Sequence, residues 1–386
     1  MIPYGRQEIL QDDIDAVVSG LKSDFLPQGP MVPLFEKSVE NFCGVKHAVA
    51  VNSATSALHI ACLALGVGPG DMIWTSPISF VASSNCALYC GANIDFVDIN
   101  SETYNIDIEA LKQKLITASN LGTLPKVLIP VHLCGEPCDM QAIYALSQQY
   151  GFKVIEDASH AIGASYLDGN VGNCQFSDIT VFSFHPVKII TTGEGGMATT
   201  NQDDLRQSME LLRSHGITRN ESLMSKESDG PWYYEQIQLG FNYRMTELQA
   251  ALGLSQMNHL NNFVNYRHEI ASFYSKEFAS SPLLMQKQST EARSAFHLYV
   301  VRIDLTSVAL SHKQIFSKLR QAGIGVNLHY IPIYKQPFYQ KMGFDANYCP
   351  EAEKYYQEAL SLPIFPLLKQ VDQQFVVHTL KKILYK

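Results

Sequence analysis

Val181-Phe-Ser-Phe-His-Pro-Val-Lys-Ile-Ile-Thr-Thr-Gly-Glu-Gly-Gly196 is the stretch on which the reading of this chain turns. It opens as an apolar, β-branched and aromatic run of the kind that forms a buried strand. Pro186 interrupts the run, and a single lysine, Lys188, stands before a glycine-rich turn. Apolar neighbours on both sides would strip water from the ammonium, which disfavours its charged form and leaves a more nucleophilic amine. Schiff-base chemistry needs such an amine, although a lysine at a strand end also snorkels to solvent.

A second stretch bears on that choice. Phe152 to Ala161, F-K-V-I-E-D-A-S-H-A, reads as a short buried strand ending in two carboxylates, Glu156 and Asp157, followed by Ser159 and His160. In open α/β sheets ligands sit outside the carboxyl ends of the strands, so Asp157 and Lys188 are expected to face one crevice. A cofactor that offers a carbonyl to the lysine and a protonatable ring nitrogen to the aspartate is pyridoxal phosphate.

The chain has 386 residues, which suits one large domain and one smaller. A net charge of −8 argues against nucleic-acid and anionic-membrane partners, because binding a phosphate backbone requires a basic surface. Met1-Ile-Pro-Tyr-Gly-Arg-Gln-Glu8 carries neither a basic nor an apolar leader region, and no apolar run reaches bilayer length, so a cytoplasmic protein is expected. The eight cysteines lie scattered, largely in apolar runs, as free packing thiols do in a reducing compartment. His132-Leu-Cys-Gly-Glu-Pro-Cys138 matches no usual zinc spacing, and no metal is expected.

Along the chain, a helix over Gln11–Leu21 leads into a loop, Ser23-Asp-Phe-Leu-Pro-Gln-Gly-Pro30, which reads equally as a connector or as a segment lying across a cleft or a partner subunit. After a helix over 31–42 and a strand over His47–Val51 comes Asn52-Ser-Ala-Thr-Ser-Ala-Leu58, opening a helix over 57–65. Its hydroxyls and free N–H groups suit an anion, or simply cap the helix. Strands at 71–75, 94–98, 126–132 and 153–157 then alternate with helices at 79–90, 107–115 and 139–150, the pattern of a mainly parallel sheet. Phe80, placed one residue into its helix, would sit at the lip of the crevice. Residues 218–231 read as a polar loop, and Asn242 and Arg244 as polar groups among apolar neighbours that need partners if buried. Beyond about residue 260 the rhythm weakens toward a smaller α+β unit, in which Val326-Asn-Leu-His-Tyr-Ile-Pro-Ile-Tyr334 suits a cleft wall or an ordinary strand and turn.

Five ordered motifs, N-S-A-T-S-A at 52–57, P-I-S-F-V-A at 77–82, E-D-A-S-H-A at 156–161, F-S-F-H-P-V-K-I-I-T-T-G-E-G-G at 182–196 and G-F-N-Y-R-M-T-E-L-Q-A-A-L-G at 240–253, resemble the DegT/DnrJ/EryC1 nucleotide-sugar aminotransferases over almost the whole chain. R-S-H-G-I at 213–217 and H-Y-I-P-I-Y at 329–334 look most like the branch that makes pseudaminic acid precursors. The resemblance implies a fold-type-I pyridoxal phosphate enzyme, with a large cofactor-binding α/β domain at 1–255 and a small α+β domain at 256–386. By position, Lys188 matches the Schiff-base lysine, Asp157 the partner of the ring nitrogen, Phe80 the aromatic stacked on the ring, and His160 the contact of the 3-hydroxyl. Ala54, Thr55 and Ser183 match the phosphate cradle, and Asn242 an asparagine that reaches the phosphate of a neighbouring subunit, so a homodimer with shared sites is implied. Tyr4, the loop Asp24, Phe25, Leu26 and Pro27, and Asn327, Leu328, His329 and Tyr330 match positions that hold the nucleotide sugar. Relatives commonly carry alanine at the place of Gly193 and Ala-Ile at that of Pro186-Val187, while some dehydratases of the family replace the lysine by histidine. The retained Lys188 implies transamination, from L-glutamate to C4 of a UDP-4-keto-6-deoxy-N-acetylhexosamine. An enzyme for another UDP-, dTDP- or GDP-4-keto sugar, or a cofactor-binding regulator without turnover, would share the same cofactor motifs.

Overall fold

The computed structural model describes residues 1–385. Seven strands, β1 (His47–Val51), β2 (Met72–Thr75), β3 (Asn93–Phe96), β4 (Val127–Ile129), β5 (Lys153–Asp157), β6 (Ile179–Ser183) and β7 (Gly196–Thr200), form one sheet in the order β1-β7-β6-β5-β4-β2-β3. Only β7 runs against its neighbours; the pairs β6–β5, β5–β4, β4–β2 and β2–β3 are parallel, as the strand–helix alternation predicts. The result is a mixed α/β fold with a mostly parallel central sheet.

Both faces of the sheet are covered, because its strands are apolar at odd and even positions alike. Ile73, Ile129, Ile155 and Val181 pack on one side with Leu58 and Ile60 of α3 (Ala54–Ala64) and Cys86 of α4 (Ala82–Tyr89). Their neighbours Trp74, Leu128 and Val154 pack on the other side with Leu111 of α5 (Ile108–Leu121) and Ile143 of α6 (Met140–Tyr150). All eight cysteines are free and buried.

A second core lies entirely within 270–384. There β8 (Leu283–Met285), β9 (Tyr299–Ile303) and β10 (Ala359–Leu362) form an antiparallel sheet in that order. The sheet packs with the helices Leu260–Phe278, His312–Gln321 and Gln370–Leu384. The N-terminus joins this part of the molecule: Ile2 and Pro3 pair in parallel with Ile324 and Gly325. Among the described residues no helix is long and apolar enough to cross a membrane.

Several local readings differ from the structure. The segment at 218–231 is mostly loop, as read, but contains a turn of 3₁₀ helix at Glu221–Leu223 and is tied at its base where Ile217–Thr218 pair with Glu235–Gln236. Helix α3 begins at Ala54 rather than 57, because the Ser53 hydroxyl accepts the Ser56 N–H and caps it there. Helix α4 begins at Ala82, so Phe80 stands in the turn before the helix and not inside it.

Candidate active site

Strand β5 delivers Asp157 and β6 delivers Ser183 to the same edge of the sheet, where the two strands run side by side and in register. Past Ser183 the chain leaves the sheet, and a turn at Pro186–Val187 presents Lys188, which therefore lies on a turn and not on the strand that its apolar surroundings suggest. Its amine is nonetheless desolvated. Burial pushes it down to about 8, against a partial restoring pull from the Asp157 charge.

The two carboxylates at the end of β5 part company. Side chains alternate across a strand, so Glu156 turns into the protein on the face opposite Asp157. There Glu156 meets His132 Nε2 at 2.7 Å and accepts the hydroxyls of Ser177 and Thr180 at 2.5 and 2.8 Å. Asp157 faces a cavity of about 900 Å³. Its Oδ2 accepts the Ser83 hydroxyl at 2.6 Å and its Oδ1 the Ser159 N–H at 3.1 Å.

Ala54, Thr55, Phe80, Asp157, His160, Ser183 and Lys188 all line this cavity, together with Tyr4 and Asn327–Tyr330. At its floor the N-terminus of α3 presents the Ala54 and Thr55 amides, which among the described residues have no acceptor within the chain. Gly196 makes room for this helix end: a Cβ there would lie 2.5 Å from the Ala54 nitrogen and the Ser53 carbonyl. Phe80 is 60% exposed at the mouth, as a ring free to cover a ligand would be.

The far wall is assembled by pairing the chain's N-terminus with residues 324–325. That pairing carries the Tyr4 ring to 4.8 Å from the His329 ring. His329 gives Nδ1–H to Ser361 Oγ at 2.7 Å and accepts the Asn327 amide on Nε2 at 3.2 Å. Burial and the nearby Lys188 charge push it down to about 3, so it is neutral. His160 accepts the Cys134 N–H on Nδ1, which leaves the proton on Nε2, 3.1 Å from the Tyr330 hydroxyl. Burial and Lys188 hold His160, too, well below the usual histidine range.

Five of the residues matched by position lie outside this wall. Asp24, Phe25, Leu26 and Pro27 form an exposed surface loop, and Asn242 is exposed and bridged to Ser214 rather than buried. Conversely, Ser83 and His297 escape a reading of the sequence. His297 lines the cavity with its ring 4.4 Å from that of His160. Neither carries a local signal, because a serine near a helix start and a histidine just before a strand are ordinary, and only the approach of distant segments gives them neighbours.

A family model described as the DegT/DnrJ/EryC1/StrS aminotransferase family matches residues 7–381. The chain is 37% identical over 388 residues to the UDP-4-amino-4,6-dideoxy-N-acetyl-beta-L-altrosamine transaminase of Campylobacter jejuni, covering 100% of this chain and 98% of that protein. Among solved structures it resembles Helicobacter pylori PseC, an aminotransferase involved in the biosynthesis of pseudoaminic acid, with a TM-score of 0.91 and 32% identity over 100% of this chain and 99% of that one. It also resembles the PLP-form of the putative sugar aminotransferase Spr1654 from Streptococcus pneumoniae, with a TM-score of 0.89 and 27% identity over 100% and 98% of the two chains. With a lysine and a carboxylate at one sheet edge and similarity running end to end, the chain belongs to the DegT/DnrJ/EryC1/StrS aminotransferase family and is a sugar aminotransferase.

Proposed function

We propose that this enzyme binds pyridoxal 5'-phosphate and transfers the amino group of L-glutamate to C4 of UDP-2-acetamido-2,6-dideoxy-β-L-arabino-hexos-4-ulose. The product would be UDP-4-amino-4,6-dideoxy-N-acetyl-β-L-altrosamine, a precursor of pseudaminic acid. The observation that carries this reading is the single cavity shared by the desolvated Lys188 amine, the Asp157 carboxylate and the free N-terminus of α3.

The residues fit the cofactor. Amides of Ala54 and Thr55, with the hydroxyls of Thr55 and Ser183, would hold its phosphate at the positive end of α3. Phe80 would lie on the ring and His160 would donate Nε2–H to the ring's oxygen substituent. Bound pyridoxal phosphate supplies a carbonyl with which amines condense and a ring that accepts the electron pair left on a substrate carbon. Lys188 takes the proton from the α-carbon of glutamate in one half of the cycle and gives a proton to C4 of the sugar in the other. Asp157 holds the proton on the ring nitrogen throughout, inside a cavity where its charge is poorly screened. His160 and His329, both neutral, leave Lys188 as the base at the reacting carbon.

A homodimer belongs to the same proposal. Among the described residues Lys188 is the sole lysine or arginine in the cavity wall, whereas glutamate and a nucleotide diphosphate bring several negative charges. Further contacts would come from a second copy, whose exposed Asn242 and loop 24–27 would face this cavity. Apolar side chains left in the open, such as Trp232 at 73% and Leu239 at 78% exposure, support such a contact. We further take the enzyme to be cytoplasmic and to divide near residue 256 into a cofactor domain and a smaller one, as the separate core within 270–384 supports.

The choice of sugar rests on the likeness to the Campylobacter jejuni transaminase, and a related UDP-, dTDP- or GDP-4-keto sugar is the alternative. A regulator without turnover is disfavoured by the intact Lys188 and Asp157 pair. Incubation with glutamate and UDP-4-keto sugars of both C5 configurations, with the amino sugar identified by NMR, tests the assignment. Amination of the β-L-arabino substrate is expected; turnover of other keto sugars alone would replace it.

A further inference from the structure

Asp157 is buried, yet among the described residues no lysine, arginine or histidine forms an ion pair with it in the chain. Its hydrogen-bond donors are the Ser159 backbone and one side chain, Ser83. Ser83 Oγ stands 2.6 Å from Asp157 Oδ2 and 3.3 Å from the Phe80 carbonyl, and the shorter, charge-assisted bond takes its single proton. The Ser79 hydroxyl, 2.6 Å away, must then donate to Ser83, since Ser83 has no second proton to give. Ser79 and Ser83 are buried and four residues apart, Ser79 in the turn before α4 and Ser83 in its first turn, and neither is the cap of α4, which begins after Val81. The two hydroxyls thus form a directed chain, Ser79 to Ser83 to Asp157, running into the carboxylate from the side of Phe80.

We propose that Ser83, backed by Ser79, is a positioning residue that fixes the rotation of the Asp157 carboxylate and with it the aim of that carboxylate at the cofactor's ring nitrogen. A carboxylate held in one orientation by a hydroxyl and an amide meets the ring nitrogen without first reorganising, and so holds the proton there. Without the hydroxyl, Oδ2 turns toward another donor, the carboxylate loses its aim, and the ring loses part of its capacity to accept electrons. This inference rests on the reading of the cavity as a pyridoxal phosphate site.

The test uses the full-length protein loaded with pyridoxal 5'-phosphate carrying ¹⁵N in its ring. In the unaltered protein the ¹⁵N signal is expected at the position of a protonated nitrogen. Ser83→Ala should move it toward the unprotonated position, and kcat should fall roughly ten- to hundredfold, the effect of one hydrogen bond to a charge, with KM for the sugar within about twofold. Ser83→Thr, which keeps the hydroxyl, should restore both. Ser84→Ala, which removes a hydroxyl of the same helix bonded to Tyr339 at 2.7 Å, should leave the ¹⁵N position unchanged. Should Ser83→Ala not fold, Ser79→Ala decides, with a smaller displacement in the same direction. An unmoved ¹⁵N signal in the folded variant overturns the inference while leaving the cofactor reading intact. Failure of the unaltered protein to take up the cofactor sinks both.

Discussion

On the sheet side of the cavity, Asp157, Ser183 and Lys188 come from the ends of two paired parallel strands and the turn after the second, and the free amides come from the helix that follows β1. On the opposite side, Tyr4 and Asn327–Tyr330 are brought together from near the two ends of the chain by a two-residue strand pairing, while Asp24–Pro27 and Asn242 lie out on the surface. The first side is a rigid edge complete within one chain, so it can hold reacting groups in fixed relation. The second is held by a few long-range contacts between segments far apart in the chain. Under the proposed function, bond-making chemistry and sugar choice thus stand on different foundations, and each can be disturbed separately.

The largest disturbance should come from Lys188→Ala, which removes the nucleophile and the proton carrier together. Transamination should fall by roughly 10⁴-fold or more, and the visible absorbance of lysine-bound cofactor should vanish; normal turnover would strike Lys188 from the mechanism. Asp157→Asn keeps the shape but not the charge, so the cofactor should stay bound while kcat falls by about 10²–10³-fold. A near-normal rate would show that the ring nitrogen needs no anion.

The pH dependence follows from the same side of the cavity. The Lys188 amine is lowered from 10.5 to about 8, so below that it is increasingly protonated and unreactive. Capture of pyridoxal phosphate by the apo-protein, followed by absorbance, should slow by about tenfold per unit below pH 8 and level off above it. The unfolded chain binds more protons at this amine between about 8 and 10.5, so this group alone makes apo-protein stability rise with pH across that window. A midpoint for capture near 10.5 would mean the amine is not desolvated.

Gly196→Ala sets a methyl group against the Ser53–Ala54 backbone and should force the helix end away. A loss of about 1–3 kcal/mol in stability is expected with weaker cofactor retention, readable by melting and by absorbance titration. The smallest effect belongs to the sugar side. Asn327→Ala should raise KM for the keto sugar by about three- to tenfold and leave the half-reaction with glutamate untouched. Loss of both half-reactions together would erase the contrast between the two sides.

The sheet side was largely legible in the sequence because its signals are local. Apolar runs mark β5 and β6, small hydroxyl residues mark the start of α3, and chemistry-bearing residues cluster where those strands end. Legibility failed where direction mattered. Glu156 and Asp157 look alike as neighbours, yet one is tied to His132 and the other faces the cavity. Lys188 reads as a strand residue, but its position is set by the turn after Ser183. Ser83 carries no mark at all, because its meaning lies in a carboxylate 74 positions further on.

By itself the sequence determined the parallel sheet, the order of its strands and helices along the chain, and the lysine and aspartate at its edge, since periodicity, caps and turn residues act over a few positions. The tertiary structure alone decided which carboxylate reaches the cavity, which serine orients it, and that Tyr4 meets His329. Those outcomes depend on which face of a strand is covered and on contacts between segments from 74 to more than 300 residues apart, and no local pattern of residues encodes either.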